Sequence, residues 1–182
     1  MVFIALLRGI NVSGQKKILM SDLKILFENL SFSDVKTYIQ SGNVIFSTEE
    51  SDTKLMEKKI EEKILAQYGF QIPVLVLTTD EIKNALDNNP FLKNTETLSD
   101  KDDPRLYFTF LSEIPNVEHV KKIDVALFAP DTFTLLDKTI FMKVENGYGN
   151  TKLSNNFFET KLKVKATTRN LKTLQMISQL VG

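Results

Sequence analysis

The spacing of apolar and polar residues changes along the chain, and each change marks an element. VFIALLR (2–8) is apolar on both alternating faces and predicts a strand covered on both sides. SDLKILFENL (21–30) places Leu23, Leu26, Phe27 and Leu30 at helical spacing, with Ser21 as the expected N-cap. VKTYIQ (35–40) and NVIFST (43–48) alternate as strands around the Ser41-Gly42 turn and predict a hairpin. Residues 52–68 predict a charged helix with Leu55, Met56, Ile60, Ile64 and Leu65 on one stripe, ended by Gly69. IPVLVLT (72–78) predicts a further strand.

That order is strand, helix, strand, strand, helix, strand, the split-βαβ or ferredoxin-like plan. A short helix over 79–89 stops at Pro90, and 92–104 reads as an exposed linker. Beyond it come a strand at 105–112, a helix at 117–124, a hairpin of 131–137 with 139–145, and helices at 154–162 and 168–181. The predicted class is α+β: two tandem ferredoxin-like plaits, the second incomplete, with a helix in place of its last strand. The expected division is 1–78 for the first half, 79–104 for a helix and linker, and 105–182 for the second half with its C-terminal helices. No residue-level repeat relates the two halves.

Charge and composition narrow the chemistry. Lys+Arg 23 balance Asp+Glu 23, so any nucleic-acid role must rest on a local patch. The chain has no cysteine, which excludes thiol catalysis, disulfides and cysteine-ligated metals, and His119 is its one histidine. The opening apolar run lacks a basic n-region and is too short for a bilayer span, so a cytoplasmic location with no membrane partner is the expectation. Arg8, Arg105 and Arg169 are the only arginines in a lysine-rich chain, which favours uses of the planar guanidinium at those positions.

LLRGINVSGQKK (6–17) carries the strongest candidate chemistry. Gly9 and Gly14 have Walker A spacing after a strand, but Gln15 stands where the lysine belongs, Lys17 follows Lys16, and the helix starts late. Nucleotide-triphosphate hydrolysis by that route is rejected. An anion nest flanked by Arg8, Lys16 and Lys17 survives, in competition with a connector whose cations are merely solvated. The split-βαβ plan puts this loop beside Gln40-Ser41-Gly42-Asn43, gathering Arg8, Asn11, Lys16, Lys17, Gln40, Ser41 and Asn43 at one end.

In ATTRN (166–170), Thr167 or Thr168 is the expected cap of the last helix, with Arg169 in its first turn. A cation there opposes the helix dipole and calls for a carboxylate partner or an anionic ligand. Lys152, Lys161, Lys163, Lys165, Arg169 and Lys172 make this the basic patch of the chain. NGYGNTK (146–152) has two of three dinucleotide-loop glycines but Lys152 in place of the third, and reads better as a turn. The Asp100, Asp102 and Asp103 cluster reads as a solvated loop, and no cofactor or metal is expected. SGNVIFST offers only Phe46 where RNA stacking on a sheet needs two aromatics.

LLRGINVSG (6–14), TYIQSGNVIF (37–46), NPF (89–91), NNFFETKL (155–162) and ATTRN (166–170) together resemble the bacterial family called domain of unknown function sixteen ninety-seven. Ser13 and Leu171 depart from its usual glycine and tryptophan. The resemblance implies tandem α+β plaits and brings no established activity, substrate or catalytic residue. The expected function is binding of a phosphate-bearing ligand, a nucleotide or a nucleic-acid backbone, by Arg8, Asn11, Gly14, Lys16, Lys17, Ser41, Asn43, Thr168 and Arg169. An enzyme on a small anionic substrate and a structural or protein-interaction module are the alternatives, and a homodimer is compatible with the doubly apolar strands.

Overall fold

A computed structural model describes residues 1–92 and 103–182. Backbone contacts divide the chain into two compact units, Met1–Ile82 with Ile177–Gly182, and Lys83–Met176. The boundaries therefore fall at 82 and 176, rather than at the 78 and 104 of the sequence reading.

The first unit runs β1 (Val2–Leu7), α1 (Met20–Glu28), β2 (Ser33–Tyr38), β3 (Asn43–Ser47), α2 (Thr53–Tyr68) and β4 (Val74–Thr78), followed by α3 (Thr79–Asp87). Its antiparallel sheet has the order β2-β3-β1-β4 expected of a split-βαβ plait. Phe3, Ala5 and Leu7 of β1 pack with Leu23 and Phe27 of α1 and with Met56, Ile60 and Ile64 of α2. Ile4 and Leu6 on the opposite face are fully buried too, as their doubly apolar pattern requires. Helix α2 follows its local signals closely. The Asp52 carboxylate accepts from the N–H groups of Lys54 and Leu55, and Gly69 closes the helix at φ 74°.

The second unit carries β5 (Leu106–Leu111), α4 (Val117–Val120), β6 (Thr132–Leu136), β7 (Thr139–Lys143), α5 (Asn155–Leu162) and β8 (Ala166–Asn170), and α6 (Leu171–Val181) closes the chain. Its sheet order, β6-β7-β5-β8, is the same plait. The fourth strand is therefore present, and it is ATTRN, where the sequence reading starts the last helix. Thr167 and Thr168 are β-branched and pair with Phe110 and Thr109 of β5. The cap of α6 is Asn170, whose side-chain oxygen accepts from the Thr173 N–H at 2.9 Å.

The halves repeat at the level of hydrogen bonds. At the end of β1, the Leu7 N–H donates to the Gly42 carbonyl (2.8 Å) and the Arg8 N–H to the Pro73 carbonyl (3.0 Å). At the end of β5, Leu111 donates to Lys138 (2.8 Å) and Ser112 to Lys165 (2.9 Å) in the same way. Glu57 of α2 accepts from the outward N–H of Val76 on the edge strand, and Glu159 of α5 does so for Ala166. Each glutamate follows a buried helix residue, Met56 or Phe158, and each is the fifth residue of its helix. Val74 and Thr78 of β4 are closed likewise by Glu61 and Glu81, so side-chain carboxylates stand where a further strand would pair.

Candidate anion-binding site

The halves differ most after their first strand. In the second unit Ser112 to Asn116 carries the chain directly from β5 to α4. In the first unit the chain from Arg8 to Leu19 forms a small finger before α1.

The roots of the finger are Ile10 and Ile18, both buried in the core of the unit. Asn11 joins them. Its side-chain oxygen accepts from the Ile18 N–H at 3.0 Å, and its amide donates to the carbonyls of Ile18 (3.0 Å) and Gln40 (2.9 Å). The loop thus sits on the β2–β3 turn, as the topology predicts. The tip is a miniature hairpin. Asn11 N–H donates to the Lys16 carbonyl, Gln15 N–H donates to the Val12 carbonyl, and Ser13 and Gly14 both have positive φ (49° and 75°). Two central residues of that kind belong to a type I′ turn, which accounts for Gly14 without any phosphate. The second glycine of the apparent Walker spacing is hairpin chemistry.

What the finger presents is charge and N–H groups. Lys16 and Lys17 are exposed; the Lys16 ammonium donates to the Gln71 carbonyl at 2.8 Å. Among the described residues neither has a carboxylate partner, whereas Lys24, Lys54, Lys58, Lys59 and Lys121 all pair with glutamates. The Ser13 and Gly14 N–H groups at the tip also take no intramolecular partner among the described residues. The chain then enters α1. Its N-cap is Leu19, not the expected Ser21, and no side-chain oxygen caps the helix. The first-turn N–H groups therefore have no side-chain cap and lie next in sequence to two lysines without carboxylate partners, with Asp22 the acidic residue of that turn, an arrangement suited to an anion at the finger. Ser21 lies inside the helix and bonds Asp22 instead.

The turn residues divide. Ser41 is exposed, and its hydroxyl accepts from the Asn43 amide at 3.1 Å. Asn43 is fully buried and also donates to the Tyr38 carbonyl at 3.0 Å, so it holds the turn and faces no ligand. Asn11 is likewise committed to the scaffold of the finger. The link between β2 and β3 spans Ile39 to Gly42 rather than a two-residue turn, and Ile39 adopts a left-handed φ of 49°.

The model of the family described as protein of unknown function (DUF1697) matches residues 1–141. The chain belongs to that family. Among solved structures it is similar to the conserved bacterial protein SP0830 from Streptococcus pneumoniae, with 25% identity and a TM-score of 0.73 over 100% of this chain and 98% of that one. The comparison with curated proteins found no match.

In the second unit of this DUF1697 chain, the residues singled out by sequence serve the fold. Thr168 donates its hydroxyl proton to the Asn155 side-chain oxygen at 2.7 Å, so Thr109, 2.6 Å away, donates to Thr168. That chain ties β5, β8 and α5 together. Arg169 lies on β8 opposite Phe108, not in a helix turn, and is only 9% exposed. It donates to the Thr168 carbonyl at 2.9 Å. Burial pushes its guanidinium down to about 10, with the Tyr148 phenol opposing that shift, and leaves it charged at neutral pH. Tyr148 stacks on Tyr107 within a 3-10 turn, the role expected for NGYGN. The His119 ring lies 3.3 Å from the Leu162 carbonyl at the end of α5.

Arg105 binds Asp103 in a fork and reaches Glu145 at 2.9 Å, and this pairing holds the Asp103 carboxyl below its ordinary range. Asp100 and Asp102 lie outside the described residues. Among the described residues no group of three or more histidines or carboxylates is placed to hold a metal, and no helix is long and apolar enough to cross a membrane.

Proposed function

We propose that this protein is a cytoplasmic binding protein that takes a phosphate-bearing ligand, a nucleotide or a nucleic-acid backbone in the first instance, at the Arg8–Leu19 finger. One observation carries the reading. Lys16 and Lys17, without carboxylate partners among the described residues, lead directly into a helix whose N-terminus no side chain caps. Charge, unpartnered N–H groups and the helix dipole favour an anion at the same place. Arg8 stands at the base of the finger and Ser41 beside it, while Asn11, Gly14 and Asn43 shape the scaffold. The comparison of the halves supports the location, since the second plait closes without any such finger. Thr168 and Arg169 are left out of the proposed site because the hydrogen bonds described above tie them to the second sheet.

A thermal-shift series with nucleotides and short oligonucleotides tests this. The expected result is a ligand-dependent rise in Tm that shrinks with added salt and vanishes in Lys16→Glu/Lys17→Glu. Both side chains are exposed, so the variant should keep its own Tm within a degree or two, roughly. An undiminished shift in that variant would remove the finger from consideration.

A further inference from the structure

Cations are only part of what the finger displays. Val12 is 59% exposed, Leu19 66% and Ile39 46%, and all three belong to the same end of the first unit. The Asn11 side chain sets their proximity: Val12 follows it, and its amide bonds the carbonyl of Ile18, next to Leu19, and that of Gln40, next to Ile39. Single exposed aliphatics are ordinary on a protein surface, but three around an uncompensated lysine pair are not accounted for by solvation.

Resting on the phosphate reading above, we propose that the finger is a peripheral contact for an anionic phospholipid bilayer. The chemistry selects this source of phosphate. A nucleic-acid backbone offers no apolar surface to Val12, Leu19 and Ile39, and the finger carries no aromatic ring on which a base could stack. A bilayer surface offers headgroup phosphates to Lys16 and Lys17, with the acyl boundary directly beneath for three aliphatic side chains. Part of the hairpin also suits that boundary: its Asn11, Gln15 and Ile18 N–H groups are bonded within the finger, the Ser13 and Gly14 N–H groups remain for headgroup phosphates, and long lysine stems keep their ammonium groups at headgroup level while apolar neighbours sink. Among the described residues no helix is long and apolar enough to cross a membrane, and this contact needs none.

Flotation with phosphatidylglycerol/phosphatidylcholine vesicles, against phosphatidylcholine alone, tests the proposal. Wild-type protein is expected to float with the anionic vesicles at low salt and to be released as salt rises. Lys16→Glu/Lys17→Glu should lower partitioning at least roughly tenfold. Val12→Thr/Leu19→Ser/Ile39→Asn, which leaves the charge unchanged, should do the same, roughly, through loss of apolar burial. That second variant is chosen to keep the fold: a serine at 19 supplies the missing helix cap, and asparagine tolerates the left-handed φ of Ile39. Its Tm should be equal to or above wild type. Vesicle binding that survives the apolar variant would overturn the membrane assignment. So would binding to oligonucleotides or nucleotides but not vesicles, which would leave the phosphate reading standing. Absence of binding to vesicles, nucleotides and oligonucleotides alike would overturn both.

Discussion

Gly42→Ala is expected to destabilise the protein by roughly 3 kcal/mol, the sum of a strained left-handed backbone and an overpacked contact. Gly42 sits at φ 77°, and a Cβ there would lie 2.7 Å from Ile10 Cδ1 and 2.8 Å from Leu7 Cβ. Neither neighbour can yield easily, since Ile10 roots the finger and Leu7 is a core residue of β1. The Gly42 carbonyl also anchors the Leu7 N–H, so a shift of the turn would loosen the end of β1. Gly14→Ala is the control. It has φ 75° but nothing within 4 Å, so it should lose only about 1 kcal/mol, the backbone term alone. Urea unfolding midpoints of the two variants, at unchanged m-value, check the ranking. Equal midpoints would mean that the close packing of the finger against the β2–β3 turn is not present in solution.

The second large effect concerns the edge of the first sheet. Glu57 is 5% exposed and accepts from the Val76 N–H at 3.1 Å while pairing with Lys54 at 3.1 Å. Glu57→Ala strands a buried N–H and leaves a void, and should destabilise the protein by about 2–3 kcal/mol. Glu57→Gln keeps the acceptor oxygen and the volume and loses only an ion pair to a half-exposed lysine, so it should lose about 1 kcal/mol or less. Amide hydrogen exchange gives the specific readout: the Val76 N–H should lose protection in the alanine variant and keep it in the glutamine variant. Equal destabilisation by both would place the role of Glu57 in its charge rather than in the edge hydrogen bond.

Much of the fold is legible in the sequence because local and global signals agree. Helix α2 has its aspartate cap, its apolar stripe and its terminal glycine, and the structure uses each of them. Strands β1 and β5 are apolar on both faces and are buried on both. ATTRN misleads because its two threonines satisfy a cap pattern as well as a strand pattern. The choice is made by pairing with β5, more than fifty residues away in sequence, and by Asn170 taking the cap. Ser21 misleads in the same manner, since α1 begins one residue earlier and accepts an uncapped start after Leu19. The kinship of the halves is hidden for a related reason. It is carried by main-chain bonds and by Glu57 and Glu159, which no periodicity in residue type reveals.

The candidate site shows the same division. The sequence places the finger beside the β2–β3 turn correctly, because split-βαβ topology requires that neighbourhood. It does not separate residues that build the finger from those that face outward. Asn11 and Asn43 look like ligand donors in a string of letters, yet their amides are committed to main-chain carbonyls or to Ser41. Leu19 carries no polar signal at all, and its importance comes from what it fails to supply at the start of α1.

The most direct test of the anion site is an amide chemical-shift titration with inorganic pyrophosphate. The predicted result is saturable shifts centred on Ser13, Gly14, Lys17, Met20 and Ser21, lost in Lys16→Glu/Lys17→Glu. Shifts confined to the second unit around Arg169, with the Ser13–Ser21 amides unmoved, would contradict it.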